Sequence, residues 1–197
     1  MLNFQSQTAV RKLKVTEMNR LSQQEFREAE KTPLIVVLDN VRSIYNIGSV
    51  FRTCDAFRIK RLCLCGVCAC PPNVEIHKTA LGAEDSVEWV YYADTMDCIR
   101  DLQSEGCTIL AVEQCEGSTL LHHFSPEWRD GADAVDAAAG ERKTYAVVLG
   151  NEVKGVQQEV VDACDGCLEI QQFGTKHSMN VSVTAGIIMW QFVQQLM

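Results

Sequence analysis

The sequence predicts an α/β protein built on a parallel sheet with helices on both faces. Short apolar runs alternate with stretches of helical spacing along most of the chain, as in successive strand–helix units. Runs such as 34–38 and 145–149 are apolar throughout, which is typical of strands covered on both faces. Polar residues follow several predicted strand ends, and ligands of such sheets bind at that edge.

The first half of the chain supplies two predicted helices and three strands. Met18, Leu21 and Phe26 recur at helical spacing, and Ile47 and Val50 open a second pattern of this kind. The strands are short apolar runs, and Gly82 marks a turn between the last two of them. In chain order, we predict a helix over 16–31, a strand over 34–38, a helix reaching Ala56, a strand over about 61–66, a polar turn over 79–83 and a strand over 87–92.

The second half continues the alternation after one interruption. The Ala/Asp-rich stretch with Pro126 predicts a surface insertion over 122–143. The other predicted elements are a helix over 94–105, a strand over 108–112, a strand over 145–149, a helix over about 156–163, a strand over 167–170 and a helix over about 180–196. With 197 residues, we expect an N-terminal basic helical extension over 1–31 followed by a single domain over 32–197.

Composition leaves the class of partner open. The net charge of −8 on the whole chain disfavours nucleic acid as a partner. Positive charge is nevertheless concentrated in residues 1–31 and again at Arg58, Lys60 and Arg61. The sequence contains neither a run long enough to cross a bilayer nor a signal-peptide profile at its start, so we expect a cytoplasmic protein without a membrane partner.

The ten cysteines do not have the spacing of a zinc site. Cys65 and Cys68 form a single C-x-x-C within a compressed cluster, and Cys63 and Cys65 alternate with leucines as in a buried strand. We therefore expect reduced cysteines used for packing, and no metal.

Three segments place small polar residues and glycine just after predicted strands or before a helix: 46–52, 149–155 and 178–182. Each has a simple structural interpretation, since Ser and Asn cap helices and a carboxylate favours a helix N-terminus. The usual phosphate-binding motifs, G-x-G-x-x-G and G-x-x-x-x-G-K-[ST], are absent, and so is the hydrolase motif G-x-S-x-G.

Taken in order, Asn46-x-Gly48-x-x-x-Arg52, Leu149-Gly150-Asn151-Glu152-x-x-Gly155 and Ser178-Met179-Asn180-Val181-Ser182 resemble the three motifs of the SpoU/TrmH class of SPOUT RNA methyltransferases. The segment 77–83 resembles a turn found between the first two motifs. The resemblance covers about residues 34–197, apart from the insertion.

This resemblance implies a parallel-sheet α/β fold whose C-terminal segment forms a trefoil knot. It also implies a homodimer that uses S-adenosylmethionine to methylate a ribose 2′-hydroxyl of tRNA or rRNA. The residues implied at the cofactor are Val112, Gly150, Gly155, Ile170, Ser178 and Met179, and the implied catalytic residues are Asn46, Arg52, Glu152 and Asn180.

The residue types suit that chemistry. Glu152 would repel a phosphate but suits a cationic sulfonium. Arg52 is a poor proton acceptor at pH 7, so we expect it to hold a substrate phosphate and stabilise the developing alkoxide. We expect Glu152 to orient Arg52 or to receive the proton indirectly, and the two asparagines to hold loops.

The chain departs from the motifs at two places. The third motif usually opens Ile-Pro-Met, where this chain has Ile170-Gln171-Gln172, and Arg58 replaces a glycine at the end of the first. Two alternatives therefore stay open: a non-catalytic RNA-binding or assembly protein on the same scaffold, and a small-molecule α/β enzyme.

Overall fold

The computed structural model describes residues 11–129 and 142–196, and within them seven strands form one sheet in which every pairing is parallel. The strands are β1 (Thr32–Asp39), β2 (Ile59–Cys65), β3 (Trp89–Tyr92), β4 (Thr108–Val112), β5 (Thr119–Leu120), β6 (Tyr145–Leu149) and β7 (Gly166–Glu169). Their spatial order is β3-β2-β1-β6-β4-β7-β5. The helices are α1 (Gln23–Glu28), α2 (Ile44–Ala56), α3 (Val74–Ala80), α4 (Thr95–Ser104), α5 (Gln158–Ala163) and α6 (Val181–Val193). The predicted parallel α/β class is confirmed.

The central strand β1 shows why the sheet is buried on both faces. Leu34, Val36 and Leu38 belong to one apolar cluster, and the alternating residues Ile35 and Val37 belong to the other. The first cluster includes side chains of α1, α2, α3 and α6, while the second includes those of α4 and α5. Successive side chains of a strand point to opposite faces, so a continuous apolar run supplies both layers.

The C-terminal segment returns to the middle of the sheet. β7 lies between β4 and β5, two strands that are consecutive in the chain, and α6 then packs against α2 and β1. Ala185, Ile188 and Phe192 of α6 are fully buried in the first cluster. The start of α6 is thereby placed at the carboxyl ends of the central strands.

The predicted and observed elements differ at three places. The predicted helix over 16–31 is limited to α1, preceded by a short 3-10 turn over Val15–Glu17, because Ser22 and Glu25 form a capping box that starts a helix there. The predicted turn over 79–83 overlaps α3, which ends where Leu81 adopts a left-handed conformation. The two-residue strand β5 was not predicted, since so short a run carries no periodicity.

The predicted insertion over 122–143 falls largely on residues 130–141, which lie outside the described residues. Its described beginning contributes to the core. Trp128 is 8% exposed, and its ring packs edge-on against Tyr145 and Phe192, with centroids 5.0 and 5.6 Å away.

The cysteines mostly pack within the protein. Cys54, Cys63, Cys65 and Cys98 are fully buried in the two apolar clusters, and burial raises the pKa of Cys68 to about 12. Within residues 11–129 and 142–196, no group of three or more His, Cys, Asp or Glu is arranged to hold a metal ion. In the same part of the chain, none of the helices combines the length and apolar character needed to cross a membrane.

Candidate active site

A pocket lies at the carboxyl ends of three neighbouring strands, β6, β4 and β7. It is open to solvent, and its cavity volume is about 90 Å³. Its wall is formed by the loops after those strands and by the start of α6. All six residues that the sequence places at the cofactor line it: Val112, Gly150, Gly155, Ile170, Ser178 and Met179.

The loop after β6 closes on itself at two glycines. Asn151 and Gly155 exchange two backbone hydrogen bonds of 3.0 and 2.9 Å. A Cβ on Gly150 would collide with the backbone of Gly155 and Val156, and Gly155 has a φ of +69° that favours glycine. The loop therefore presents backbone rather than side chains to the pocket.

Glu113 joins the loops that follow β4 and β6. Its carboxylate accepts hydrogen bonds from the backbone N–H groups of Val156 (3.1 Å) and Gln114 (2.9 Å). The absent Cβ of Gly155 leaves the space that this carboxylate occupies. Gln114 Nε2 in turn donates to the carbonyl of His177 (2.9 Å), which holds the loop ahead of α6. Two of the lining side chains, Glu113 and Gln114, thus fix the backbone of the wall.

Three of the four predicted catalytic residues, Asn46, Glu152 and Asn180, form a hydrogen-bonded chain beside the pocket, which we call the polar cluster. Asn46 Nδ2 donates to Glu152 Oε1 and Asn180 Nδ2 donates to Asn46 Oδ1, both at 3.1 Å. Asn180 is also the N-cap of α6, since its Oδ1 accepts from the N–H groups of Ser182 and Val183. An amide has both an acceptor and two donors, so Asn180 serves the helix and the cluster together.

Glu152 is held at the start of α2 by backbone donors. Its two carboxylate oxygens accept from the N–H groups of Arg42 (3.1 Å) and Ser43 (3.0 Å). Partial burial raises the pKa of Glu152, but these hydrogen bonds and that of Asn46 outweigh it, so the pKa lies below its ordinary value. A carboxyl with a lowered pKa stays ionised at neutral pH.

Arg52 lies apart from this chain of hydrogen bonds. It borders a different cavity, between α1, the second half of α2 and residues 80–83. Among the described residues, Glu152 bonds to Asn46 and to two backbone groups, and no hydrogen bond joins it to Arg52. Within the described part of one chain there is thus no contact through which Glu152 would orient Arg52, and its carboxylate is held by the N-terminus of α2 and by Asn46.

Gly48 of the first motif allows α2 and α3 to pack closely. A Cβ there would collide with the Thr79 side chain and the Ile76 carbonyl of α3. Thr79 Oγ1 also donates to the carbonyl of Tyr45 at 3.2 Å. The close packing fixes the helix that carries Asn46.

Both departures from the motifs have visible consequences. Gln172 lines the pocket where the motif has methionine, while Gln171 is exposed. Arg58 adopts a left-handed conformation with φ +49°, the one a glycine would take. The turn after α2 is therefore retained with an arginine in it.

Several lining residues were not among the predicted site residues. Glu113 was recognised only as a residue following a strand end, and most of the others are sequence neighbours of the predicted ones. The unpredicted lining residues are Glu113, Gln114, Leu149, Asn151, Leu168, Gln172, Val181 and Thr184. In the sequence, these residues could have been found only by their proximity to a motif or to a strand end. That proximity does not tell a residue that lines the pocket from one that is buried in the core.

Curated relatives act on ribosomal and transfer RNA. A 23S rRNA (guanosine-2'-O-)-methyltransferase of Neisseria meningitidis is 29% identical over 157 residues, which cover 80% of this chain and 56% of that protein. A tRNA (guanosine(18)-2'-O)-methyltransferase of Thermus thermophilus is 28% identical over 183 residues, covering 91% and 84%. The chain thus spans little more than half the length of the first of these relatives.

Solved structures share the fold. An AdoMet-bound rRNA methyltransferase from Sinorhizobium meliloti superposes with a TM-score of 0.72 at 23% identity, over 87% of this chain and 60% of that one. The TrmH/SpoU tRNA modifying enzyme of A. aeolicus has a TM-score of 0.71 at 24% identity, over 88% and 81%. The model of the SpoU rRNA Methylase family matches residues 33–190, the region that contains the sheet, the pocket and the polar cluster, and the chain belongs to that family.

Proposed function

We propose that this protein methylates a ribose 2′-hydroxyl of RNA, tRNA or rRNA, with S-adenosylmethionine as the methyl donor. The observation that carries the proposal is that three motifs meet at one site: residues of 149–155 and 178–182 line the pocket, and Asn46 of the first motif, 106 and 134 positions away, bonds to Glu152 and Asn180 beside it. The relatives named above methylate guanosine at the 2′-oxygen in either RNA class, which supports this reaction and leaves both substrates open.

The pocket suits S-adenosylmethionine by its lining and by its charge. Backbone around Gly150 and Ile170 faces it, and of the described residues that line it the only charged ones are Glu113 and Glu152. Two carboxylates suit a ligand that carries a sulfonium cation. S-adenosylmethionine supplies an electrophilic methyl group, and the six predicted residues of the wall would hold it.

Positioning is the main task of this chain's own residues. Methyl transfer requires the ribose oxygen to approach in line, so a fixed orientation supplies much of the rate. Glu152 orients the Asn46 amide, which in turn holds Asn180 at the start of α6. Since the oxygens of Glu152 already accept three hydrogen bonds and its pKa is lowered, we assign it an orienting role rather than that of the proton acceptor.

Arg52 is assigned to the substrate. A guanidinium stays protonated and binds phosphate in a bidentate way, so Arg52 holds a phosphate next to the reactive ribose and stabilises negative charge on its oxygen. The catalytic reading is favoured over a non-catalytic RNA-binding protein, because the polar cluster is intact although Gln171 and Gln172 replace the usual residues.

We also propose a homodimer that forms through α6. Val183, Ile187 and Trp190 are 53%, 38% and 48% exposed and follow the i, i+4, i+7 spacing of one helix face. This apolar stripe adjoins the pocket, since Thr184 of the same helix lines it. A second copy of the chain would cover the stripe beside the pocket.

Substitution of Trp190 by glutamate tests the dimer. We expect Trp190→Glu to be monomeric by light scattering at concentrations where the wild type is dimeric, because a charge at the centre of an apolar interface is left unpaired. Val74→Glu, at a position that is 74% exposed on α3, is the matched control and should not change the mass. A wild-type monomer, or a dimeric Trp190→Glu variant, would contradict this interface.

The trefoil knot is part of the same proposal. It is supported by the passage of β7 between β4 and β5 and by the return of α6 to the centre of the sheet. We keep residues 1–31 as a basic extension of a domain over 32–197, consistent with the matched range 33–190, and place the reaction in the cytoplasm.

The variant Arg52→Ala tests the catalytic assignment. We expect it to bind S-adenosylmethionine with wild-type affinity by calorimetric titration, since Arg52 does not line the pocket, and to lose methyl transfer to RNA by at least about 100-fold. Wild-type transfer is followed with tritiated cofactor, and the methylated nucleotide is identified by mass spectrometry. Unchanged turnover of Arg52→Ala would refute the role of this residue, and a wild type that does not bind the cofactor would refute the function.

A further inference from the structure

A groove runs along one side of α2, away from the pocket. It consists of two adjoining cavities that share Gln23, Asp55 and Ser86 in their walls. One wall is the segment that leads into α1, the second is the C-terminal half of α2, and the third is the turn between α3 and β3. We call it the arginine groove, because Arg20, Arg52 and Arg58 line it.

The charge of the groove differs from that of the whole chain. Three arginines face one acid, Asp55, among the described residues that line it. The protein carries a net charge of −8, so this is a local reversal of sign. Such a surface attracts a polyanion in spite of the overall charge.

Arg58 is held in a conformation that costs free energy. Its φ of +49° belongs to the left-handed region, where a side chain with a Cβ is disfavoured. Its backbone is fixed there, since its N–H donates to Asp55 (3.1 Å) and its carbonyl accepts from Thr32 (2.8 Å). Glycine would satisfy the same turn without that cost, so the presence of a cation needs another reason.

The walls of the groove are anchored before any ligand arrives. Phe26 of α1 is 5% exposed and belongs to the first apolar cluster, the one that also contains side chains of α2, α3 and α6. The capping box of Ser22 and Glu25 fixes the start of α1. Arg27 Nη2 donates to the carbonyl of Asp85 at 3.1 Å, which ties α1 to the third wall. The positions of the arginines along the groove are therefore set by packed elements.

The groove leads away from the polar cluster in a defined direction. Arg52 is six residues after Asn46 on α2, a rise of about 9 Å along the helix axis, and Arg58 follows beyond the helix end. A chain of phosphates that begins at the reactive ribose would meet Arg52 first. Arg58 and Arg20 lie farther along the same path.

We propose that the arginine groove binds the phosphate backbone of the RNA substrate, with Arg58 and Arg20 as contacts beyond Arg52. This inference rests on the proposed function, since it names how that substrate is held. A row of separate cations fits a polymer of phosphates better than a single anion, and the carboxylate of Asp55 among them disfavours tight capture of a free phosphate.

Two variants test the proposal. In the first, stability and RNA affinity should change in opposite directions. Arg58→Gly removes the charge and relieves the backbone, so we expect it to raise the midpoint of urea unfolding while weakening RNA binding. Arg20→Ala removes a charge without any gain in stability. Each should weaken binding of a fluorescein-labelled, mixed-sequence 20-nucleotide RNA by about three- to tenfold and lower the slope of log K against log salt by about 0.7, the value for one phosphate contact on a single strand.

Arg100→Ala is the matched control, because Arg100 pairs with Asp97 on α4 on the other side of the sheet. It removes the same charge from the chain and should leave the salt slope unchanged. A slope unchanged in Arg58→Gly and Arg20→Ala, equal losses in all three variants, or no binding of this RNA by the wild type at low salt would each overturn the proposal. Cofactor binding and methyl transfer by the wild type are measured separately, so a failure of the groove is distinguishable from a failure of the function.

Discussion

The pocket and the arginine groove are built in opposite ways. The pocket depends on the close approach of backbone at Gly150 and Gly155 and carries two carboxylates. The groove is lined by long side chains on anchored elements and carries three arginines. One region therefore depends on backbone geometry that tolerates no added atom, and the other on charges that can be removed singly.

Gly150→Ala should produce the largest loss of stability, and its effect on binding should be limited to the cofactor pocket. The new Cβ meets the backbone of Gly155 and Val156, which cannot move aside as a flexible side chain can. We expect a loss of about 2–3 kcal/mol in the free energy of unfolding, measured in urea, and loss of S-adenosylmethionine binding by calorimetry. Gly174→Ala is the control, since a Cβ there meets nothing within 4 Å. Equal behaviour of the two variants would show that the close approach has no energetic importance.

Phe26→Ala should affect the groove alone. Removing this buried ring weakens the anchor of α1, and we expect a loss of about 2 kcal/mol, less than for a central core residue because a short peripheral helix can detach by itself. Hydrogen exchange of residues 22–29 should accelerate and RNA binding should weaken, while cofactor affinity stays unchanged. Leu13→Ala, at a position that is 55% exposed and outside the groove, is the control. A loss of cofactor binding in Phe26→Ala would mean that the two regions are coupled.

Glu152→Gln should have the smallest effect on stability, and that effect should depend on pH. The amide keeps one acceptor oxygen for the N–H groups of Arg42 and Ser43, and the site is partly exposed, so we expect a loss of about 1 kcal/mol at pH 7. Because the pKa of Glu152 is lower in the folded than in the unfolded protein, its ionised form stabilises the fold fully above the unfolded value. That contribution should disappear as pH falls through the folded value, below about 4.5.

Urea unfolding of wild type and Glu152→Gln between pH 3 and 7 measures this directly. The difference between the two proteins should shrink towards the acid end. Glu116→Gln, at an exposed position in the loop after β4, should show no such convergence. A difference that stays constant with pH would mean that the carboxylate charge does not stabilise the start of α2.

Most of the sheet was predictable because buried parallel strands have a strong local signal. The runs at β1, β4 and β6 are apolar at nearly every position, and a strand covered on both faces requires this. α3 was missed because Val74–Ala80 mixes polar and apolar residues over only two turns, and β5 because two residues carry no period. The extent of α1 was overestimated, since Met18 and Leu21 have helical spacing but are exposed.

By itself, the sequence determined the fold class and the order of the three motifs, and its resemblance to the family named seven of the 15 residues that line the pocket. The fold class follows from local patterns, and strand ends and glycine-containing turns place their neighbours at one edge of a parallel sheet. The tertiary structure alone decided which of these residues touch. Asn46 meets Glu152 across 106 positions and Asn180 across 134, and no periodicity reports such contacts.

The tertiary structure also decided the place of Arg52. The sequence put it with Glu152, whereas the fold turns it towards Arg58 and the N-terminal segment. The physical reason is the rotation of side chains around a helix: residues six positions apart on α2 point to different sides, and only the packing of α1, α3 and α6 around it decides which side meets which partner.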